Sequence, residues 1–200
     1  AVKCHLSGNL CADAGLKMRN YFDVRLAGKV RNITDFNNAS GHIDIDGDFN
    51  DINFIKPTLM DAKLGKTTHL PPLKLDGTVN MAGGDIGGRR RALTQQGDLA
   101  LDGKWNSRVE GYDINLDADK FPVGTFLPGL GIGNVTAKVD ARGRGFDPMS
   151  RRTEMYAAVD AIDVGYRGYS IHDLKVVANL SDGNADLNVT SSNKVIDGNL

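Results

Sequence analysis

Aromatic residues are scarce in this 200-residue chain, which holds seven Phe, five Tyr and a single Trp. Rings of this kind commonly fill large closed cores. A chain with so few must pack small and aliphatic side chains or leave an apolar surface unfilled. Cysteine is scarcer still: Cys4 and Cys11 are the only two, too few for a disulfide framework or a cysteine-rich zinc site. They read as two buried thiols, with a mutual disulfide as the alternative. No apolar run of about 18 residues occurs, so no membrane-spanning helix is expected. A basic-then-apolar leader is missing as well. Neither sign of charge dominates, the formal net charge being −1. The Arg89–Arg91 run after "GGDIGG" reads as a solvated loop, and without interleaved aromatics it gives no reason to expect nucleic acid as a partner.

Catalytic and metal-binding signatures are also missing. No nucleophile elbow, phosphate loop or dinucleotide fingerprint appears. "GRGFDP" has glycines but lacks the strand-to-helix setting of a phosphate cradle. His5, His42, His69 and His172 are scattered without paired ligand spacing. "DIDGDFND", from Asp44 to Asp51, has the carboxylates of a calcium loop but not its order. The sixth position should be Gly and is Phe49, and the twelfth should be Glu and is Ile55. Asp44, Asp46 and Asp48 are better read as outward residues of a strand, roughly 7 Å apart at about 3.4 Å per residue. The sequons at Asn32 and Asn188 carry little weight in a β-rich chain. The expectation is a protein that is not an enzyme, with no cofactor and no metal.

Alternation is what the sequence has in abundance. In "LKLDGTVNM", residues 73 to 81, Asp-Gly between alternating apolar residues is a strong hairpin signal. Side-chain parity argues against a turn there. A strand running through puts Leu73, Leu75, Gly77, Val79 and Met81 on one face and Lys74, Asp76, Thr78 and Asn80 on the other. A two-residue turn would instead mix Leu75 with Thr78. The pattern apolar-x-apolar-x-Gly-x-apolar recurs in "CHLSGNL", "VRLAGKV", "IDIDGDF" and "LALDGKW", with a weaker relative in "VDARGRG" and a truncated copy at Ile196-x-Gly198-x-Leu200. Gly8, Gly28, Gly47, Gly77 and Gly103 are unevenly spaced, so the repeat is loose rather than a fixed-period solenoid. Gly28, Gly47, Gly77 and Gly103 are expected inside strands, on the apolar face, permitting bulges or sharp coiling. Asp182-Gly183 has the opposite parity. A turn there pairs Leu180 with Ala185, Ala178 with Leu187 and Val176 with Val189, keeping the apolar residues together. "TEMYAAVDAID" is the best helical stretch, but its β-branched residues favour a strand. A short helical turn is expected around "TFLPGLGIG".

These elements give an all-β fold: an elongated, curled, mainly antiparallel sheet with one apolar face and a U-shaped apolar groove. Small inward residues such as Ala141, Gly143, Ala178 and Ala185 leave the groove unfilled. Residues 1–200 read as a single continuous β-groove segment, a fragment of a longer array. The expected groove lining is Leu73, Leu75, Val79, Leu99, Leu101, Trp105, Leu116, Val139, Val176 and Leu187. An unfilled apolar trough binds something apolar.

The run "GDLALDGKWNSRVEGYDINLDADKF", followed by "GNVTAKVDARGRGFDPMSRRTEMYAAVDAIDVGYRGYSIHDLKVVANLSDGNADLNVTSSN", resembles the periplasmic repeats of the TamB and wider AsmA-like family. Those repeats share the "L-x-G" strand core, the "G-x-G-x-D-P" link, "Y-x-G-Y-x-x-x-D-L" and the closing "S-x-N". The resemblance covers most of the chain and is best over 97–193. It implies a tapering β-taco lined with apolar side chains. It also implies a translocation and assembly module: a parent protein anchored in the inner membrane of a Gram-negative bacterium, crossing the periplasm to a BamA/TamA-type barrel in the outer membrane. Phospholipid acyl chains and that barrel are the implied partners. Phospholipid transport and outer-membrane biogenesis are the implied roles, and the resemblance carries over no catalytic residues.

Two functions of different class follow. The first is a conduit, with acyl chains on the apolar face and head groups in water. The second is a scaffold whose exposed strand edges pair with client or partner strands. A polysaccharide-acting β-solenoid is a distant third, since no carboxylate cluster with flanking aromatics stands out.

Overall fold

The computed structural model describes residues 9–32, 34–35, 37–51, 71–147, 149–192 and 198–199. Its strands are β1 (Asn9–Met18), β2 (Phe22–Arg31), β3 (Ser40–Phe49), β4 (Leu73–Ala82), β5 (Asp85–Leu93) and β6 (Asp98–Asn106). They continue as β7 (Gly111–Pro122), β8 (Ile132–Arg144), β9 (Glu154–Tyr166), β10 (Tyr169–Ser181), β11 (Asn184–Ser191) and a two-residue β12 (Gly198–Asn199). A short helix, α1 (Val123–Phe126), and a 3-10 turn (Pro128–Leu130) sit where "TFLPGLGIG" led us to expect helix. All strands join one sheet in chain order, every neighbouring pair antiparallel, and the sheet is not closed. The topology is a meander.

Tight turns make this possible. Asp182 and Gly183 both have positive φ (52° and 76°), as a primed hairpin turn requires. The flanking pairs are Leu180 with Ala185, Ala178 with Leu187 and Val176 with Val189, as parity predicts. Gly83-Gly84 and Arg167-Gly168 make similar reversals between β4 and β5 and between β9 and β10. The "TEMYAAVDAID" stretch is strand β9.

Gly28, Gly47, Gly77 and Gly103 all lie inside strands, as expected. No bulge accompanies them, because the register runs unbroken through each. At Gly28 and Gly77 the use is close approach instead. A Cβ on Gly28 (φ 143°) would collide with the His42 carbonyl oxygen, and one on Gly77 with that of Arg89. The register does shift elsewhere, between Ala118 and Phe121 in β7 and near Ile132–Ala137 in β8. Lys120 takes φ 50° at the first of these, and its amide donates to Thr136 Oγ1 at 3.1 Å.

Arg89–Arg91 is not a solvated loop. All three residues belong to β5, where glycine and arginine conceal an ordinary alternation of Ile86, Gly88, Arg90 and Ala92. Charge and glycine lower strand propensity, but pairing with β4 and β6 on both sides overrides it.

Directly opposed residues share a sheet face, so register alone traces rows across the whole meander. One row reads Leu26, Ile45, Gly77, Arg90, Leu101, Leu116, Val139, Val159, Val176 and Val189. Another runs from Gly28 and Ile43 through Val79, Gly88, Gly103 and Ile114 to Ala141, Ala157, Ala178 and Leu187. The opposite face is charged. Cross-strand pairs there include Lys74–Asp48 at 2.9 Å, Arg89–Asp102 at 3.1 Å and Lys138–Asp117 at 3.6 Å. The hydrogen bond to Asp48, and then its charge, raise the Lys74 pKa; Asp23 does the same for Lys17. Asp44 and Asp46 are exposed on this face, and Asp44 accepts from Thr78 Oγ1 at 2.7 Å. They are outward strand residues, as read from the sequence. Among the described residues, no group of His, Cys, Asp or Glu is arranged to hold a metal ion.

Candidate functional site: the apolar face of the sheet

Every proposed lining residue falls on the apolar face by register. Leu75 and Leu99 both stand opposite Ala92, and Val79 joins Ile43 and Gly88. Leu101, Leu116, Val139 and Val176 belong to the first row above, and Leu187 to the second. Leu73 stands opposite Phe49, whose ring lies 6.2 Å from Phe22. Trp105 faces Ile86 on one side and Tyr112 on the other. Register thus puts these residues on one face of the sheet.

Their burial is the telling quantity. In a sandwich or barrel, inward aliphatic residues lose nearly all contact with water. Here Val79 is buried, most of the others are half-buried, and Trp105 is 36% exposed. Among the described residues the buried apolar side chains are few, and Ala118, Ala137 and Ala161 form one of the tightest rows, across β7, β8 and β9. Among the described residues, substantial contacts join only sequential strands, plus α1 against β8 and the adjoining 3-10 turn. Phe126 of α1 stacks on Phe121 at 5.3 Å. No second sheet lies over the apolar face among the described residues.

At its centre the face carries a pocket of about 400 Å³ over β5, β6 and β7. Gly88 and Gly103, directly opposed, form its floor. Ile86, Trp105, Tyr112, Ile114 and Leu101 rise around it, and Phe146 stacks on Tyr112 at 5.2 Å. Partial burial raises the Tyr112 phenol pKa by desolvation. Tyr112 and Ile114 were legible in principle, since they alternate with Leu116, whereas Ile86 lies in the segment read as a loop. Phe146 lies outside the strands, where no periodicity could mark it.

Cys11 lies in β1, while Cys4, His5 and His69 lie outside the described residues, as do most of "CHLSGNL" and of the last truncated repeat. His172 lies 3.3 Å from Asp163 on the charged face. No helix is long and apolar enough to cross a membrane among the described residues.

Fold and face together define a class: an open antiparallel meander, one sheet among the described residues, with one charged and one apolar surface. In comparisons with known proteins, no family model, curated protein or solved structure matches the chain.

Proposed function

We propose that this chain is a non-enzymatic cell-envelope segment whose apolar face curls into a groove that shields lipid acyl chains. The observation that carries this reading is the apolar face, half-exposed along its rows and, among the described residues, without a second layer. Such a surface is costly in water at about 25 cal/mol per Å² of apolar area. Acyl chains would cover it without needing specific polar contacts. The resemblance to TamB and AsmA-like repeats points the same way. It suggests a place in the periplasm, a parent protein anchored in the inner membrane, and a BamA/TamA-type barrel as partner. Phospholipid transport and outer-membrane biogenesis are the corresponding roles.

The alternative, a scaffold that pairs with client strands, draws on β1, which among the described residues pairs only with β2. Among the described residues no strand covers its outer edge, and such an edge presents backbone groups for pairing. Leu16 and Met18 on that strand are 63% and 52% exposed.

Charge placed on the face separates the two. Leu101→Asp and Val139→Arg, made singly, are expected to abolish photo-crosslinking to lipid while shifting the melting temperature little, because water can reach the new group. Burial of an unpaired charge in a sealed core would cost several kcal/mol, enough to unfold a marginal domain. Unfolding of both variants favours the scaffold. Intact folding with unchanged lipid contact rejects the conduit.

A further inference from the structure

Arg90 is out of place. It stands in the first of the two apolar rows, opposite Gly77 on β4 and Leu101 on β6. Its neighbours in sequence, Arg89 and Arg91, project to the charged face, where Arg89 pairs with Asp102. Arg90 is exposed and makes no ion pair among the described residues. The two rows traced across this face hold no carboxylate, so the guanidinium has no counter-charge there. The fold nevertheless makes room for it: a Cβ at Gly77 would come within 2.9 Å of Arg90 Cγ, so the missing side chain of Gly77 is where the Arg90 stem lies. An arginine held on an apolar surface without an acid is electrostatically incomplete.

Arg90 also lines the glycine-floored pocket. Arg90 stands at one end, beside Leu101, and Ile86, Trp105 and Tyr112 at the other. From Arg90 to Ile86 is four residues of strand, about 14 Å at roughly 3.4 Å each. The geometry points to a binding site for a single-chain amphiphile with a carboxylate head, the head on Arg90 and the chain laid over Gly88 and Gly103 toward Trp105. Charge complementarity selects the head, since a guanidinium fork matches a carboxylate with two parallel hydrogen bonds. The bare glycine floor selects a slender chain. This inference rests on the reading that the face takes acyl chains, and adds to it a fixed position and a charge preference.

Calorimetric titration with laurate, dodecanol and acetate tests it at mildly alkaline pH, below the aggregation limit of each amphiphile. Laurate is expected to bind roughly tenfold tighter than dodecanol, as a charge-assisted hydrogen bond implies, and acetate not measurably. Arg90→Gln should remove that tenfold preference and leave dodecanol unchanged. Gly103→Val should weaken both, because a Cβ there meets nothing nearer than 3.8 Å and its branches would fill the pocket floor without disturbing the backbone. Circular dichroism checks that both variants keep the sheet. Equal affinity for laurate and dodecanol, or a preference surviving in Arg90→Gln, overturns the carboxylate site while leaving the acyl-chain reading intact. Acetate bound as tightly as laurate makes this a bare anion site and overturns the amphiphile. Binding of neither long-chain probe overturns both readings.

Discussion

A methyl group added at Gly77 and one added at Gly103 should have opposite effects, although both glycines occupy the same place in the repeat. At Gly77 it would collide with the Arg89 carbonyl, whereas at Gly103 the nearest atoms are 3.8 Å away. Gly77→Ala is therefore expected to destabilise the fold by about 1–3 kcal/mol, the cost of overpacking. Gly103→Ala should instead stabilise it by roughly 0.5–1 kcal/mol, by restricting the unfolded backbone. Urea unfolding of the two variants measures the contrast, and similar destabilisation by both would contradict it. Parity in the sequence shows that each glycine shares a face with leucines. Which glycine lies against a neighbouring backbone depends on how far adjacent strands coil, and a single strand's sequence does not contain that information. Arg90 was obscured for a related reason. Its alternation with Ile86, Gly88 and Ala92 is intact, but consecutive glycines and three arginines lower the strand propensity of β5 enough to suggest a loop.

Hairpins are the elements that alternation identifies best. The turn at Asp182-Gly183 follows from which pairing keeps Val176, Ala178 and Leu180 opposite apolar partners, and the register agrees at each pair. Gly183 sits at φ 76°, so Gly183→Ala is expected to cost about 1 kcal/mol, read as a lowered urea midpoint. Asp182→Asn should be tolerated, since Asn adopts positive φ readily and Asp182 stands at 52°. A neutral Gly183→Ala would mean that the turn is not primed. The register shifts in β7 and β8 were not legible. They involve Lys120 in a left-handed conformation and its amide bond to Thr136, a contact between strands that no local pattern announces. Strand ends are also tied beyond nearest neighbours: Ser107 Oγ and the Arg108 guanidinium, in the β6–β7 turn, donate to Asn37 at 2.7 and 2.9 Å. That link joins residues about seventy apart in sequence, and only the assembled meander brings them together.

Across the whole molecule, stability is shared along a line. Each strand contacts the strands before and after it, so the sheet resembles a solenoid energetically, a sum of local units and their interfaces. The charged face adds little to that sum, because its pairs are exposed and such pairs contribute about 0–1 kcal/mol each. The apolar face is where burial still waits to be gained. Trp105, the only tryptophan in the chain, stands on that face beside the glycine-floored pocket and is 36% exposed. It can report contact directly. Its fluorescence should be recorded while the folded chain is mixed with phospholipid vesicles carrying dibrominated stearoyl chains, and with matched unbrominated vesicles. If acyl chains lie along the apolar face, bromine comes within contact of the indole, and emission should fall with the brominated lipid alone. Emission identical with the two lipids, at concentrations where the chain is bound to vesicles, would mean that acyl chains do not reach this surface.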